Sequence, residues 1–347
     1  MITIKEIADM LGLSTTTVSN VIHGKTKEVS EATVERVRQV LKEYDYVPNI
    51  NARNLASNQS KIIGVAILNS RKGYVNYLKD AFISELLGSI ERELKEKGYY
   101  LMMCFSTDTR ELIQRVSAWN ADGLILFGIV AEDYQKIQKQ FKKPQVYIDS
   151  YPGDFYFNGV NIGLEDRRGG YLAGRYLLSH GHRRIGFVAD NFKGGDYERY
   201  CGFAEAMSEA GVTVRDSDFI EVEPDEEALA ACYESLYQRL HEFTAFFCAS
   251  DFYALCLMNF LTDRDVKVPE DISIVGFDDN VYSRMARPAI TTIHQDATQK
   301  GVLAVEQLMK MIESGEQSRD QVVLPVELVE RDTVGQIPVT ELTPPRI

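Results

Sequence analysis

Thr3-Ile-Lys-Glu-Ile-Ala-Asp-Met-Leu-Gly-Leu-Ser-Thr-Thr-Thr-Val-Ser-Asn-Val-Ile22 decides how the N-terminal end of the chain folds. Ile4, Ile7, Ala8 and Leu11 recur at helical spacing, and Thr3 stands where a helix start is capped. Gly12 follows at once, the residue that leaves a helix most easily through a positive φ. Leu13 packs back, Ser14 can cap a second helix, and Val18, Val21 and Ile22 give that helix its apolar stripe. Two short helices across a tight glycine turn make a helix-turn-helix. Ser30 caps a third helix, whose Val34, Val37, Val40, Leu41 and Tyr44 are predicted to face inward.

The second helix is the informative one. Thr15, Thr16, Thr17, Ser19 and Asn20 face outward, where an ordinary solvated helix would carry Glu and Lys. Short hydroxyls and amides suit the floor of a major groove, within reach of base edges and thymine methyls. Lys25 and Lys27, in the turn that follows, suit phosphate contacts. Past Pro48, the stretch Asn49-Ile-Asn-Ala-Arg-Asn-Leu-Ala-Ser57 is too short for a stable isolated helix, yet it holds an apolar Leu55 with no local partner.

Bulk charge neither supports nor forbids this. The 347 residues carry 38 basic and 51 acidic groups, a net −13, but residues 1–60 hold seven of each. That leaves 31 basic and 44 acidic groups to the remainder, so the acidity belongs wholly to the body. DNA binding must then rest on the placement of side chains. Hydrophobic residues make up 45% and charged residues 26%, which supports sizeable cores and excludes a wholly disordered chain. No apolar run approaches the roughly 20 residues of a membrane span, and Met1-Ile-Thr-Ile-Lys5 lacks the layout of a secretory signal. A cytosolic protein without membrane attachment is expected. Cys104, Cys201, Cys232, Cys248 and Cys256 form no C-x-x-C pair, so they are read as free packing residues.

From Ile62 the texture changes to short apolar runs alternating with amphipathic helices. Strands are predicted at 62–68, 100–105, 123–127, 145–148, 185–189, 219–222, 245–248 and 272–277, with a helix over 82–97. Alternation of this kind gives parallel sheets covered by helices, and there are too many strands for one sheet. Two α/β lobes facing each other across a cleft are expected, with ligand outside the carboxyl ends of the strands.

The N-terminal string, Tyr46-Val-Pro-Asn49 and Ala52-Arg-Asn-Leu-Ala56 resemble the LacI/GalR family of bacterial transcription regulators. The body is similar to the effector-binding core of that family through Gly181-His-Arg-Arg-Ile-Gly-Phe187, Arg199-Tyr-Cys-Gly-Phe203, Ala249-Ser-Asp251, Val268-Pro-Glu-Asp-Ile-Ser-Ile-Val-Gly-Phe-Asp-Asp279 and Arg287-Pro-Ala-Ile-Thr-Thr-Ile-His-Gln-Asp296. The resemblance implies an all-α helix-turn-helix headpiece (1–48), a hinge helix (49–60) and a two-lobed core like periplasmic binding proteins (61–347). Crossovers between lobes are expected near 160, 290 and 322, giving an N-lobe of 61–160 plus 291–322 and a C-lobe of 161–290 plus 323–347.

For function, the resemblance implies a repressor that binds a pseudo-palindromic operator in double-stranded DNA as a homodimer. Thr15, Thr16 and Asn20 would read bases, and Ser14, Thr17, Ser19, Lys25 and Lys27 would position the backbone. Leu55 would wedge into the minor groove and bend the duplex. Thr3, His23, Tyr46, Asn49, Asn51, Ala52 and Arg53 complete the DNA-facing set. A small carbohydrate-like effector would sit between the lobes against Asn69, Phe82, Asp149, Arg199, Ser250, Asp251, Phe277 and Asp278, where carboxylates accept from hydroxyls and a guanidinium donates in a fork. No cofactor, metal or catalytic residue is implied.

Two departures qualify the effector. Ser250 stands where many members have Asn, and Asn69-Ser-Arg-Lys-Gly-Tyr-Val-Asn-Tyr-Leu-Lys-Asp80 is a longer loop that would bring Arg71, Tyr74 and Tyr77 to the cleft mouth. Control by a phosphorylated carrier protein on the outer face, and a solute-binding protein with a vestigial headpiece, are the alternatives. Other signals fall away. Gly24-Lys-Thr26 lacks the earlier glycine and the strand of a phosphate loop, and His180-Gly-His182 lacks further metal ligands. Trp119 is read as packing, and the tail Thr340–Ile347 holds no leucine heptads for a tetramerising coil.

Overall fold

A computed structural model of the chain describes residues 2–22, 24–46, 59–68, 77–129, 131–151, 157, 159–223 and 225–337. The chain divides into two compact units, residues 1–60 and 61–347.

In the first unit α1 (Ile4–Leu11), α2 (Thr15–Ile22) and α3 (Glu31–Glu43) surround a small core. Ile7, Ala8, Val18, Val21 and Val37 are buried in it, with Leu11, Leu13, Val34, Val40 and Leu41 packed around them. Thr3 caps α1 in a reciprocal box with Glu6, and Gly12 leaves the helix at φ 65°. One expectation is corrected here. Tyr44 is 46% exposed, because α3 ends at Glu43 and Tyr44 is its C-cap. Asp45 then turns through φ 44°, the Tyr46 amide donates to the Leu41 carbonyl at 2.9 Å, and Tyr46 packs on the core instead.

The second unit holds two six-stranded sheets. The first takes β1 (Ile62–Leu68), β2 (Tyr100–Ser106), β3 (Gly123–Phe127), β4 (Gln145–Ile148), β5 (Val160–Leu164) and β11 (Gln321–Leu324), in the order β11-β5-β4-β3-β1-β2. The second takes β6 (Ile185–Ala189), β7 (Phe219–Glu221), β8 (Ala245–Cys248), β9 (Ser273–Asp278), β10 (Thr291–His294) and β12 (Glu327–Val329), in the order β12-β10-β9-β8-β6-β7. The β10–β12 pair is antiparallel, and the other described pairs are parallel.

Helices cover both sheets. They are α4 (Ala81–Glu96), α5 (Thr109–Ala118) and α6 (Ala131–Gln140), then α7 (Asp166–Ser179), α8 (Gly194–Glu209), α9 (Glu226–Tyr237), α10 (Asp251–Thr262) and the short α11 (Val281–Met285). Helix α12 (Ala297–Ser314) returns to the first lobe, where Ala304, Val305 and Leu308 join the α4 core. The central strands β4, β6, β8 and β9 are buried from end to end, as parallel strands with helices on both faces are.

The crossovers fall a few residues later than expected. β5 and β11 belong to the first sheet and β10 to the second, so the chain changes lobe after Leu164, His294 and Leu324. Each strand completes its pairing before the chain crosses at its carboxyl end. Trp119 is also corrected, at 63% exposed. It caps the end of α5, and Asn120 at φ 52° turns the chain so that Ala121 is the residue that packs. Among the described residues no helix is long and apolar enough to cross a membrane.

Candidate effector cleft and DNA-facing helix

A cavity of about 860 Å³ opens between the two sheets at their carboxyl ends. That volume lies within the range of small-molecule sites. Phe82, Asp149, Arg199, Ser250 and Asp278 line it, as does Tyr77 at its edge. Asp149 follows β4 in the left-handed region at φ 47°, which turns its carboxylate into the cleft. The Lys300 ammonium of α12 donates to Asp149 Oδ2 at 2.6 Å, while Oδ1 is buried without a partner among the described residues. Burial pushes the Asp149 carboxyl up, against the opposing pull of Lys300.

Across the cleft Asp278 ends β9 at φ 116°. Its Oδ1 accepts from Gln295 Nε2 at 2.6 Å, and Gln295 Oε1 accepts from Lys300 at 2.8 Å. A continuous chain, Asp149–Lys300–Gln295–Asp278, therefore links carboxylates of the two lobes through the second crossover. Burial also drives the Asp278 carboxyl well above its ordinary value, with Arg199 pulling the other way.

Arg199 sits in the first turns of α8. Its Nε donates to Asp166 Oδ1 at 2.8 Å and its Nη1 to the Ala249 carbonyl at 2.7 Å. The guanidinium lies over the Phe277 ring, 3.7 Å from the centroid. Burial works against its charge, but Asp166 and Asp196 more than offset that and hold its pKa above the usual value. The Tyr151 hydroxyl donates to the other oxygen of Asp166, so the arginine is held in a fixed pose by a buried carboxylate.

Two sequence assignments are corrected. Phe277 is fully buried and does not line the cleft; it is the platform beneath Arg199. Asp251 is fully buried as well, accepting from Thr292 Oγ1 at 2.6 Å and from the Asn280 amide at 2.9 Å. It binds β10 and the loop after β9 to α10, and burial pushes its carboxyl up to about 7. Ser250 lines the cleft, but its hydroxyl also caps α10 by accepting from the Tyr253 amide at 3.3 Å. Asn69, Arg71 and Tyr74 lie outside the described residues.

Reading the sequence missed Lys300, Gln295, Asp166, Tyr151 and Asn280. A lysine inside an amphipathic helix and an aspartate opening another both read as solvated surface. Only their distant partners reveal the burial.

In the first unit Thr15 and Thr16 are exposed on α2, with Thr17, Ser19 and Asn20 half-buried at its sides. The Ser14 hydroxyl caps α2 by accepting from the Thr17 amide at 3.0 Å, and the two hydroxyls pair at 2.8 Å. Lys25 and Lys27 are exposed just beyond. The first turn of α2 holds no acidic residue, so its positive end is left for an anion such as phosphate. Thr3 serves as a cap, and Tyr46 is half-buried against the core. His23, Asn49, Asn51, Ala52, Arg53 and Leu55 lie outside the described residues.

Residues 3–49 match the family of bacterial regulatory proteins of the lacI type, and residues 175–334 match the periplasmic binding protein-like domain. The HTH-type transcriptional repressor PurR of Vibrio cholerae is 33% identical over 346 residues, covering 97% of this chain and 99% of the relative. The chain belongs to the LacI family. The PurR repressor of Serratia proteamaculans is likewise 33% identical, over 97% of this chain and 98% of its own. Among solved structures, the Lac repressor dimer bound to operator and the anti-inducer ONPF aligns at a TM-score of 0.82 and 25% identity, covering 96% of this chain and 99% of that one. The complex of the regulator CelR with cellobiose shares the fold at a TM-score of 0.72 and 24% identity, over 96% of this chain and 100% of that one. This LacI-family protein is a DNA-binding transcriptional repressor with a small-molecule effector site, and it is not an enzyme.

Proposed function

We propose that the protein represses transcription as a homodimer on a pseudo-palindromic operator, under control of a carbohydrate-like effector bound between its lobes. The observation that carries the effector class is the convergence of Asp149, Arg199, Ser250 and Asp278 on one cavity from four different elements. Two carboxylates and a guanidinium held by buried partners form the acceptor and donor set that a polyol needs. Recognition of the operator falls to Thr15, Thr16 and Asn20, with Ser14, Thr17, Ser19, Lys25 and Lys27 on the phosphates and Leu55 as the wedge. The Lac repressor relative is a dimer on its operator, which supports a two-fold site here. An effector that favours one lobe arrangement would alter how two hinges (residues 49–60) pair, which is allostery in the strict sense.

Fluorescence anisotropy with an operator selected from random duplexes tests this. The selected site should contain two inverted half-sites, and Leu55→Ala should bind it at least tenfold more weakly, since the wedge supports the bend that lets the headpieces contact both halves. A selected site without two-fold symmetry, or an unchanged Kd in the variant, would sink the respective part of the reading.

A further inference from the structure

We infer that the cleft is built for a polyhydroxy effector that is uncharged or carries an amino group, and that it turns away phosphorylated and carboxylated sugars. The inference rests on the carbohydrate-effector reading above and narrows it. Among the described residues lining the cavity, eight are carboxylates and two are cations. The acids come from both lobes, with Asp80, Asp133 and Asp149 on one side and Glu221, Glu223 and Asp278 on the other.

Arg199 and Lys300 already spend part of their donor capacity on the protein. Arg199 donates to Asp166 and to the Ala249 carbonyl, and Lys300, just behind the wall, donates to Asp149 and Gln295. Lys193, at the start of α8, shares its edge of the cleft with Asp190 and Asp196. Counting Lys300 on the positive side still leaves eight acids against three cations among the described residues. A phosphate here would meet a net negative field in a walled cavity that focuses it.

A ligand ammonium meets the opposite conditions. The rim carboxylates accept its protons, and the exposed rings of Phe192 and Phe252 offer faces for a cation or for the C–H side of a sugar. The unpartnered Asp149 Oδ1 is an acceptor that a ligand hydroxyl or ammonium hydrogen would satisfy.

The test is calorimetric titration and thermal shift on the full chain. The probes are glucose, galactose and mannose, each as the parent sugar, the 2-amino-2-deoxy derivative and the 6-phosphate. In any set that binds, the amino sugar should bind about tenfold more tightly than its parent at low salt, a gap that narrows as salt rises. The 6-phosphates should leave the Tm unchanged. In a Glu221→Gln, Glu223→Gln double variant the preference for the amino sugar should fall toward one. A 6-phosphate that binds more tightly than its parent overturns the inference, and so does an amino preference that the double variant leaves intact. A panel flat in all three charge classes instead overturns the carbohydrate reading on which the inference stands, so the two failures are told apart.

Discussion

Arg199 shows how much of this site lies in partners remote in sequence. Its guanidinium holds Asp166, 33 residues away, and the Asp166 side chain is 1% exposed. Removing the arginine leaves a buried carboxylate with, among the described residues, the Tyr151 hydroxyl as its remaining hydrogen-bond partner. Arg199→Ala should therefore cost about 3–5 kcal/mol of stability in urea titrations, the usual cost of orphaning one member of a buried pair. Asp251 supplies a pH test. Its carboxyl titrates near 7 in the fold and near 4 in an unfolded chain, so the folded state holds more protons between those values. Its contribution to stability is most favourable below pH 4 and is lost as pH rises through about 7. Relative to the parent, Asp251→Asn should look worse at pH 5 than at pH 8, and a gap independent of pH would show that the carboxyl is ionised throughout. Asp149, Arg199, Ser250 and Asp278 could be picked out in the sequence because each stands at a strand end or helix start. Lys300 could not, because the carboxylate that explains it is 151 residues away.

At the scale of elements, the strands whose apolar runs are long stood out, and those at the crossovers did not. β5, β10, β11 and β12 are short and polar in places, and neighbours from the far end of the chain set their pairing. Tyr44 and Trp119 face solvent for a common reason. Helical periodicity carries one residue too far when a left-handed Asp45 or Asn120 follows, and the inward place passes to the residue after it. The contact between α7 and α8 was equally hidden. A Cβ on Gly170 would stand 1.8 Å from the Arg199 carbonyl oxygen, and one on Gly202 would stand 1.7 Å from that of Arg167. The two backbones are thus nearly in contact, and this crossing sets where Arg199 enters the cleft. Gly170→Ala and Gly202→Ala should each cost upwards of about 3 kcal/mol, since the clash is with backbone rather than a movable side chain. Gly88, exposed on α4 with nothing near its missing Cβ, should behave in reverse. Gly88→Ala should gain about 0.5–1 kcal/mol from helix propensity, and differential scanning calorimetry of the three variants would separate the signs.

At the scale of the whole core, three crossovers hinge the lobes on one side, and a hydrogen bond spans the cleft mouth on the other. The Tyr282 hydroxyl on α11 of the second lobe donates to the Lys79 carbonyl of the first at 2.8 Å. Both lobes present acidic side chains to the space between, Asp80 and Asp133 on one side and Glu221 and Glu223 on the other, and their like charge favours opening. The hydroxyl acts against that repulsion. A neutral hydrogen bond of this kind contributes about 0.5–1.5 kcal/mol net, which amounts to roughly a two- to tenfold change in the ratio of closed to open molecules. Tyr282→Phe keeps the ring against Phe252 and removes only the bond. Amides of residues 77–80 and 281–285 should then exchange with deuterium faster by about that factor, while those of β3 and β8 stay unchanged. An effector that binds the closed form should lose affinity by the same factor, because closure would precede its grip on both lobes. If exchange rises equally in the sheets, the variant has loosened the fold as a whole, and the bond is not what holds the mouth.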